Sequence, residues 1–277
     1  MNLKDKVAVI TGGGGILCST IAKGLAKEGV KTALLDISEE KAKAVKDEII
    51  GKGGDALAIK CDVLKKEQVE KAKEIVINKY GRCDILINGA GGNHPKGTTT
   101  KEIFELTDLG KEDLTTFFDL EQNGFEFVFN LNFLSAFIVS QVFLEEMVKL
   151  ENSTVINISS MSAFSPMTKV AAYSAAKAAV SNFTAWLAVH FAKVGVRVNA
   201  IAPGFFLTEQ NKNLLLDKEG KPTERHQKII NNTPMGRLGK PEELIGTIKW
   251  LCNEEDSGFV TGTVIPIDGG FLAYSGV

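Results

Sequence analysis

The strongest constraint on how this chain folds is a rhythm. Short runs rich in Val and Ile at 7–11, 32–36, 56–61, 85–88, 155–159, 196–202 and 264–267 alternate with longer segments whose apolar residues recur at helical spacing. Runs that are apolar at nearly every position suit strands buried on both faces, and strands joined by helix-length connections pair in parallel. The pattern predicts an α/β fold with a parallel sheet covered by helices on both faces. Helices are expected over 21–28, 39–52, 65–80, 127–149, 173–193 and 241–252, the last opened by Pro241, whose missing N–H is harmless in a first turn. The rhythm keeps its character along all 277 residues, so a single domain over 1–277 is expected. Two connections, near 91–126 and 205–234, exceed what a strand-to-helix turn needs, and such segments shape binding sites.

Composition narrows the classes of function. With 44% hydrophobic residues the chain can bury a sizeable core, and its 32 basic residues are scattered among 34 acidic ones, so no basic field exists for a nucleic acid. Cys18, Cys61, Cys83 and Cys252 stand apart without a Cys-x-x-Cys pair, which reads as free thiols in a reducing compartment, the cytoplasm, with no metal site. His190 and His226 likewise lack a companion at ligand spacing. The N-terminal residues lead straight into the first strand without the apolar stretch of a secretion signal. No uncharged apolar run is read as reaching the roughly 18 residues that span a bilayer, so no membrane partner is expected.

The residues with chemistry cluster after the strands. Thr11-Gly12-Gly13-Gly14-Gly15 follows the first strand and opens a helix, where amides unobstructed by Cβ atoms and a helix N-terminus can receive a diphosphate. Asp36 ends the second strand 24 residues after Gly12, placed to accept hydrogen bonds from an adenine ribose and to repel a 2′-phosphate. Ile37 brings no cation to offset that repulsion, which favours NAD(H) over NADP(H); capping of the next helix is the competing role for Asp36. Tyr173 and Lys177 are four residues apart, so on a helix they share a face and the ammonium can draw the phenol down towards a useful acid/base range. Ser160, after the fifth strand, is placed to hydrogen-bond a substrate oxygen; a local turn or cap is its alternative role.

Taken together, Thr11-Gly12, Asp62-Val63, Asn88-Gly89-Ala90-Gly91, Ser160, Tyr173-x-x-x-Lys177 and Pro203-Gly204 resemble the short-chain dehydrogenase/reductase family over nearly the whole chain. The resemblance implies a Rossmann-like doubly wound sheet and an NAD-dependent oxidoreductase, with hydride transfer between the nicotinamide and a carbinol carbon. It implies that Gly12, Gly14, Gly15 and Ile16 border the diphosphate, and that Asp62 and Val63 meet the adenine. Asn88, Ala90 and Gly91 would form the cofactor floor, and Tyr173 and Lys177 would hold the nicotinamide ribose. Pro203, Gly204, Phe206 and Thr208 would border the nicotinamide, with Phe205 and Phe206 as wall or lid. Asn132, selected by the family's Asn-x-x-x-x-Phe pattern, joins Ser160, Tyr173 and Lys177 as the fourth catalytic residue; in the family it bends its helix and anchors a water in a proton relay. Related enzymes pair their long central helices into dimers or tetramers, and the Phe-rich stretch 125–143 and Trp186 suit core and subunit contacts.

Two departures stand out. Ile16 and Cys18 occupy positions where the family's loop has its last two glycines, and Gly89 replaces the family's second Asn. Either the four consecutive glycines shift the turn so that Gly14 and Gly15 take over, or the pocket is displaced. The segments 88–96, 11–18 and 203–210 look most like a branch of D-mannonate oxidoreductases, also called fructuronate reductases, which implies a sugar-acid substrate. Asn93 and His94 are the named substrate candidates beside Ser160 and Tyr173, and Lys96, Lys169, Gln210 and Asn211 offer similar polar chemistry. A gluconate- or polyol-type dehydrogenase and a non-catalytic dinucleotide sensor are the alternatives; the intact Ser160, Tyr173, Lys177 and Asn132 speak against a sensor.

Overall fold

The computed structural model describes residues 3–208 and 215–276. Within them, seven parallel strands form one sheet in the order β3-β2-β1-β4-β5-β6-β7: β1 Val7–Thr11, β2 Lys31–Asp36, β3 Ala56–Lys60, β4 Ile85–Asn88, β5 Ser153–Ile158, β6 Val196–Pro203 and β7 Val264–Ile267. The helices are α1 Ile16–Ala26, α2 Glu39–Gly51, α3 Lys66–Tyr80, α4 Gln122–Phe129, α5 Ser135–Met147, α6 Ala171–Phe191, α7 Glu224–Asn231, α8 Ile245–Cys252 and α9 Glu254–Ser257.

Side-chain alternation along the strands divides the core into two layers. Ala8, Ile10, Leu34, Ile87 and Ile156 point to one face and pack with Ile21 and Leu25 of α1, Val45 and Ile49 of α2, and Ile248 and Leu251 of α8. Val7, Val9, Leu35, Leu86, Val155 and Val198 point to the other and meet Val69 and Val76 of α3, Val142 and Phe143 of α5, and Leu187 of α6. Each fully buried aliphatic or aromatic side chain contributes about 1.5–3 kcal/mol, so these two layers are the main favourable term of folding.

Sequence order reverses between β1, which pairs with β2 on one side, and β4 on the other. Chain leaving both strands at their carboxyl ends therefore opens a crevice, where doubly wound sheets bind ligands. The glycine loop and the Asn88–Gly91 segment lie on its two sides.

The helices differ from periodicity alone in instructive places. Helix α1 begins at Ile16, five residues before the apolar repeat becomes evident, because Gly15 takes the extended N-cap conformation. The long central helix starts at Gln122 and is interrupted by a wider turn over Asn130–Leu134. This continuous helical stretch, Gln122–Met147, is long and apolar enough in composition to cross a membrane, which corrects the expectation that no run reaches that length. Half of it is buried inside the protein, where α4 packs on α6 and α5 on α3, as for a core helix. Pro241 opens a 3-10 turn, Pro241–Leu244, that feeds α8. Of the two long connections, 91–126 carries single 3-10 turns until α4 begins at Gln122, and 205–234 contributes α7.

Candidate active site

The glycine loop closes as a tight turn in which the Gly15 N–H donates to the Gly12 carbonyl at 2.9 Å. Gly12 has φ +64°, where a side chain would be strained. A Cβ on Gly13 would lie 2.8 Å from the Leu34 Cβ, and one on Gly14 would lie 2.6 Å from the Lys41 Cβ, so the middle glycines let the loop settle on β2 and α2. Helix α1 then starts with no side-chain cap and no acidic residue in its first turn. Its leading N–H groups, unsatisfied within any helix, and the positive end of its dipole suit an anionic diphosphate. The four glycines thus keep the helix end open despite Ile16, which is half-buried in that first turn.

Asp36 reaches across to the same loop. Its carboxylate accepts from the Gly14 N–H at 2.9 Å and the Ser38 N–H at 2.8 Å. The cap of α2 is Ser38, whose hydroxyl accepts from the Lys41 N–H. Asp36 is therefore free of the capping role and stands beside the glycine turn, with Ile37 exposed next to it. Asp62, two residues past β3, accepts from the Leu64 N–H with its carboxylate at 3.0 Å, and Val63 is buried.

The opposite wall is held by Thr11, a residue that sequence reasoning treated only as part of a motif. Its buried hydroxyl accepts from the Gly89 and Ala90 N–H groups at 3.0 and 3.1 Å, tying the β4 loop to β1. The Asn88 amide is turned into the core, donating to Ser140 at 2.9 Å and Asn157 at 2.8 Å, so it positions the floor through β5 and α5. Of the departures from the family's pattern, those at Cys18 and Gly89 form one adjustment. A Cβ at Gly89 would fall inside the Cys18 sulfur, so the side chain gained at 18 occupies the space vacated at 89. Cys18 is 5% exposed, and burial pushes its thiol up to about 12, so it fills space and does not ionise.

Lys177 is buried and donates from Nζ to the Ile158 carbonyl at 2.8 Å. Burial lowers its ammonium to about 8. The ammonium lies 5.6 Å from the centroid of the Tyr173 ring, one turn back along α6. The spacing predicts a lowered phenol; the structure instead has Tyr173 raised, because desolvation outweighs the hydrogen bond with Ser160 that pulls it down. Ser160 also accepts from the Ser162 N–H at 3.1 Å, so its turn-forming role is real and holds the hydroxyl beside Tyr173. Asn132 sits in the widened turn of the central helix and clasps the β4 loop both ways: its amide donates to the Gly92 carbonyl at 2.7 Å, and its Oδ1 accepts from the Gly92 N–H at 3.2 Å. A Cβ on Gly91 would lie 2.6 Å from that Oδ1 and 3.3 Å from the Lys177 Nζ, so only glycine lets the loop rest on both. Asn132, Gly91 and Lys177 are brought together as one unit.

Pro203 ends β6 and Gly204 follows it; a Cβ on Gly204 would lie 2.6 Å from the Asp268 Cα. Phe206 is buried against Gly239, whereas Phe205 packs edge-on against Phe271 at 5.5 Å, so of the two it is Phe205 that lines open space. Thr208 closes this part of the described chain. Among the substrate candidates, Asn93 is held by Thr98 at 3.0 Å. His94 accepts from the Lys96 N–H and meets Phe127 edge-on at 5.2 Å, while Lys96 pairs with Glu121 at 2.8 Å. All three are engaged in local structure. Lys169 has φ +73° and its carbonyl accepts from the Thr99 N–H at 3.0 Å. Gln210 and Asn211 lie outside the described residues.

A cavity of about 180 Å³ is walled by Ser165 to Thr168 on the chain between Ser160 and Tyr173, by Phe205 just past Gly204, and by α7. Arg225 and Lys228 of α7 face Glu102 there, a cluster with no sequence signature because its members come from two separate connections.

A parallel sheet with this crevice, an open helix end over a glycine turn, and a Ser-Tyr-Lys-Asn constellation define an oxidoreductase of the dinucleotide-dependent class. Residues 6–219 match the short chain dehydrogenase family, and the chain belongs to that family. It is 55% identical over 276 residues to UxuB of Bacillus subtilis, itself an uncharacterized oxidoreductase, covering 100% of this chain and 98% of that one. A crystal structure from Haemophilus influenzae of a protein provisionally named a D-mannonate oxidoreductase, with bound NAD, aligns with a TM-score of 0.95 at 54% identity, covering 100% of this chain and 98% of the other. The 7alpha-hydroxysteroid dehydrogenase of Escherichia coli K12 is 31% identical over 270 residues, covering 98% of this chain and 95% of its own length.

Proposed function

We propose that this protein interconverts a secondary alcohol and a ketone of a sugar acid with NAD(H), D-mannonate and D-fructuronate being the favoured pair. The observation that carries the reading is the likeness, at 54% identity over the full length, to the NAD-bound Haemophilus protein with that provisional name. The geometry supports it: the open end of α1, the Gly12 to Gly15 turn and Asp36 fit a dinucleotide without a 2′-phosphate. The nicotinamide, when bound, supplies the two electrons and the hydrogen of the redox step.

The chain's own residues handle the proton and the oxygen. Tyr173, raised by burial, is a neutral phenol at pH 7 and can give its proton to the oxygen of a ketone being reduced, or take it back in oxidation. The Ser160 hydroxyl, placed beside the Tyr173 phenol, donates to the same oxygen and stabilises its developing charge. Lys177, charged below about pH 8, stabilises the Tyr173 phenolate as it forms. Asn132, by clasping Gly92, holds the loop against Lys177.

Four buried free thiols support a cytoplasmic site of action. The exposed Phe127, Phe137 and Trp186 on the central helices support a homo-oligomer, a dimer or tetramer.

The test is absorbance of NADH and NADPH with purified protein across D-fructuronate, other ketouronates, aldonates and polyols. Turnover confined to NADH and D-fructuronate supports the reading. Turnover of polyols alone discards the substrate, and saturable NADH binding without turnover of any compound discards catalysis in favour of sensing.

A further inference from the structure

A sugar acid needs a cation for its carboxylate within reach of its carbon chain. Tyr173 and Ser160 carry none, and the Lys177 ammonium is buried with the Ile158 carbonyl as its acceptor. The cavity between the Ser160–Tyr173 connection and α7 does hold cations. Glu102 on its wall pairs directly with Lys228, while Arg225 Nη1 is 4.0 Å from the other carboxylate oxygen, the outer limit of an ion pair. Lys169, at the start of the turn into α6, lies close enough to Glu102 to help hold its carboxyl below the usual range, after Lys228. Three cations thus surround one carboxylate, and Lys228 already neutralises it. The Arg225 guanidinium is left with a planar face of donors whose only ion pair among the described residues is the long one. Phe205 and Phe271 supply an apolar wall that strengthens a charge-assisted hydrogen bond by keeping water away.

We infer that Arg225 is the carboxylate anchor of the substrate site, with Lys228 held in place by Glu102 as the adjoining cation, so that this cavity selects sugar acids over neutral polyols. This assignment rests on the sugar-acid reading above. Its location follows from connectivity: the wall formed by Ser165 to Thr168 runs from Ser160 towards Tyr173, so a substrate whose hydroxyl meets those two residues can extend its chain along the same wall. The α7 helix then presents Arg225, the second residue of its first turn, behind the Thr223 cap.

The decisive comparison is D-mannonate against D-mannitol with NAD⁺, two compounds that differ only in a carboxylate replacing a hydroxymethyl group. Arg225→Met is expected to raise the KM for D-mannonate and to lower the preference for D-mannonate over D-mannitol by about 10- to 100-fold, with kcat for D-mannonate changed far less. Arg225→Lys should fall between, since an ammonium keeps the charge and loses the bidentate fork. Glu102→Gln separates anchoring from scaffolding: it removes negative charge from the cavity and should lower the KM for D-mannonate, whereas an Arg225 that merely braces Glu102 would make this variant reproduce the loss. NADH titration of every variant reports folding, and Arg225→Gln replaces Arg225→Met if the latter fails to bind NADH. An unchanged preference in the Arg225 variants, or the same loss in Glu102→Gln, overturns the anchor while leaving the sugar-acid reading intact. A wild-type enzyme that prefers D-mannitol overturns that reading, and the anchor with it.

Discussion

The Lys177 ammonium lies 5.6 Å from the centre of the Tyr173 ring and is hydrogen-bonded to the Ile158 carbonyl at 2.8 Å. A buried cation and a half-buried phenol thereby stand side by side, and each is displaced towards its neutral form by the loss of water. Such a pair is costly to bury and poised for proton transfer, the usual compromise at a catalytic site.

Replacing Tyr173 with Phe keeps the ring and removes the proton. Turnover should fall by about 10²- to 10⁴-fold, the range for loss of a general acid/base, while NADH affinity measured by fluorescence titration stays within about threefold of wild type. Full activity in Y173F would remove Tyr173 from the mechanism.

Lys177 carries a pH signature in stability. Its pKa is about 8 in the folded protein against 10.5 in a free side chain. Between those values the unfolded chain binds more protons, so this residue makes stability rise as pH increases from about 8 to 10.5, and leaves it flat below. Lys177→Met lacks that rise. The stability of wild type minus that of K177M, from urea melts at pH 7.5, 9 and 10.5, should grow by about 3 kcal/mol in total. A constant difference would show that the ammonium is solvated.

Asp36 has two tasks, pinning Gly14 and excluding a 2′-phosphate. Asp36→Ala should shift the ratio of kcat/KM for NADH over NADPH by at least about tenfold towards NADPH, with a lower kcat/KM for NADH because the loop loses its anchor. Steady-state kinetics with both cofactors measures it; an unaltered ratio would leave Asp36 a purely structural residue.

Cys18 and Gly89 should be coupled. Gly89→Ala alone drives a methyl into the Cys18 sulfur and also approaches the Thr11 carbonyl to 2.9 Å, a cost of about 1–3 kcal/mol for overpacking. Adding Cys18→Gly relieves the sulfur contact and leaves the carbonyl contact, so the double variant should recover part of the loss, with a coupling of about 1 kcal/mol or more in a double-mutant cycle. Strict additivity of the two changes would mean that the loop moves aside by itself.

The sequence by itself determined whatever depends on neighbours along the chain. Alternating strand and helix patterns are local, so the order of β1 to β7 and the boundaries of α2, α3 and α6 were legible to within a few residues. The i,i+4 spacing that puts Tyr173 and Lys177 on one face, and the strand-end positions of Asp36 and Ser160, are also local and are present as read. Only the tertiary structure decided the contacts made between elements distant in sequence. The clasp of Asn132 on Gly92 spans 40 residues, and the sulfur of Cys18 on helix α1 fills the gap at Gly89 after β4. Glu102 meets Lys228 across 126 residues. The same holds for the direction of the Tyr173 shift: spacing sets which charge is near, but the amount of water excluded around the phenol depends on the whole packed fold.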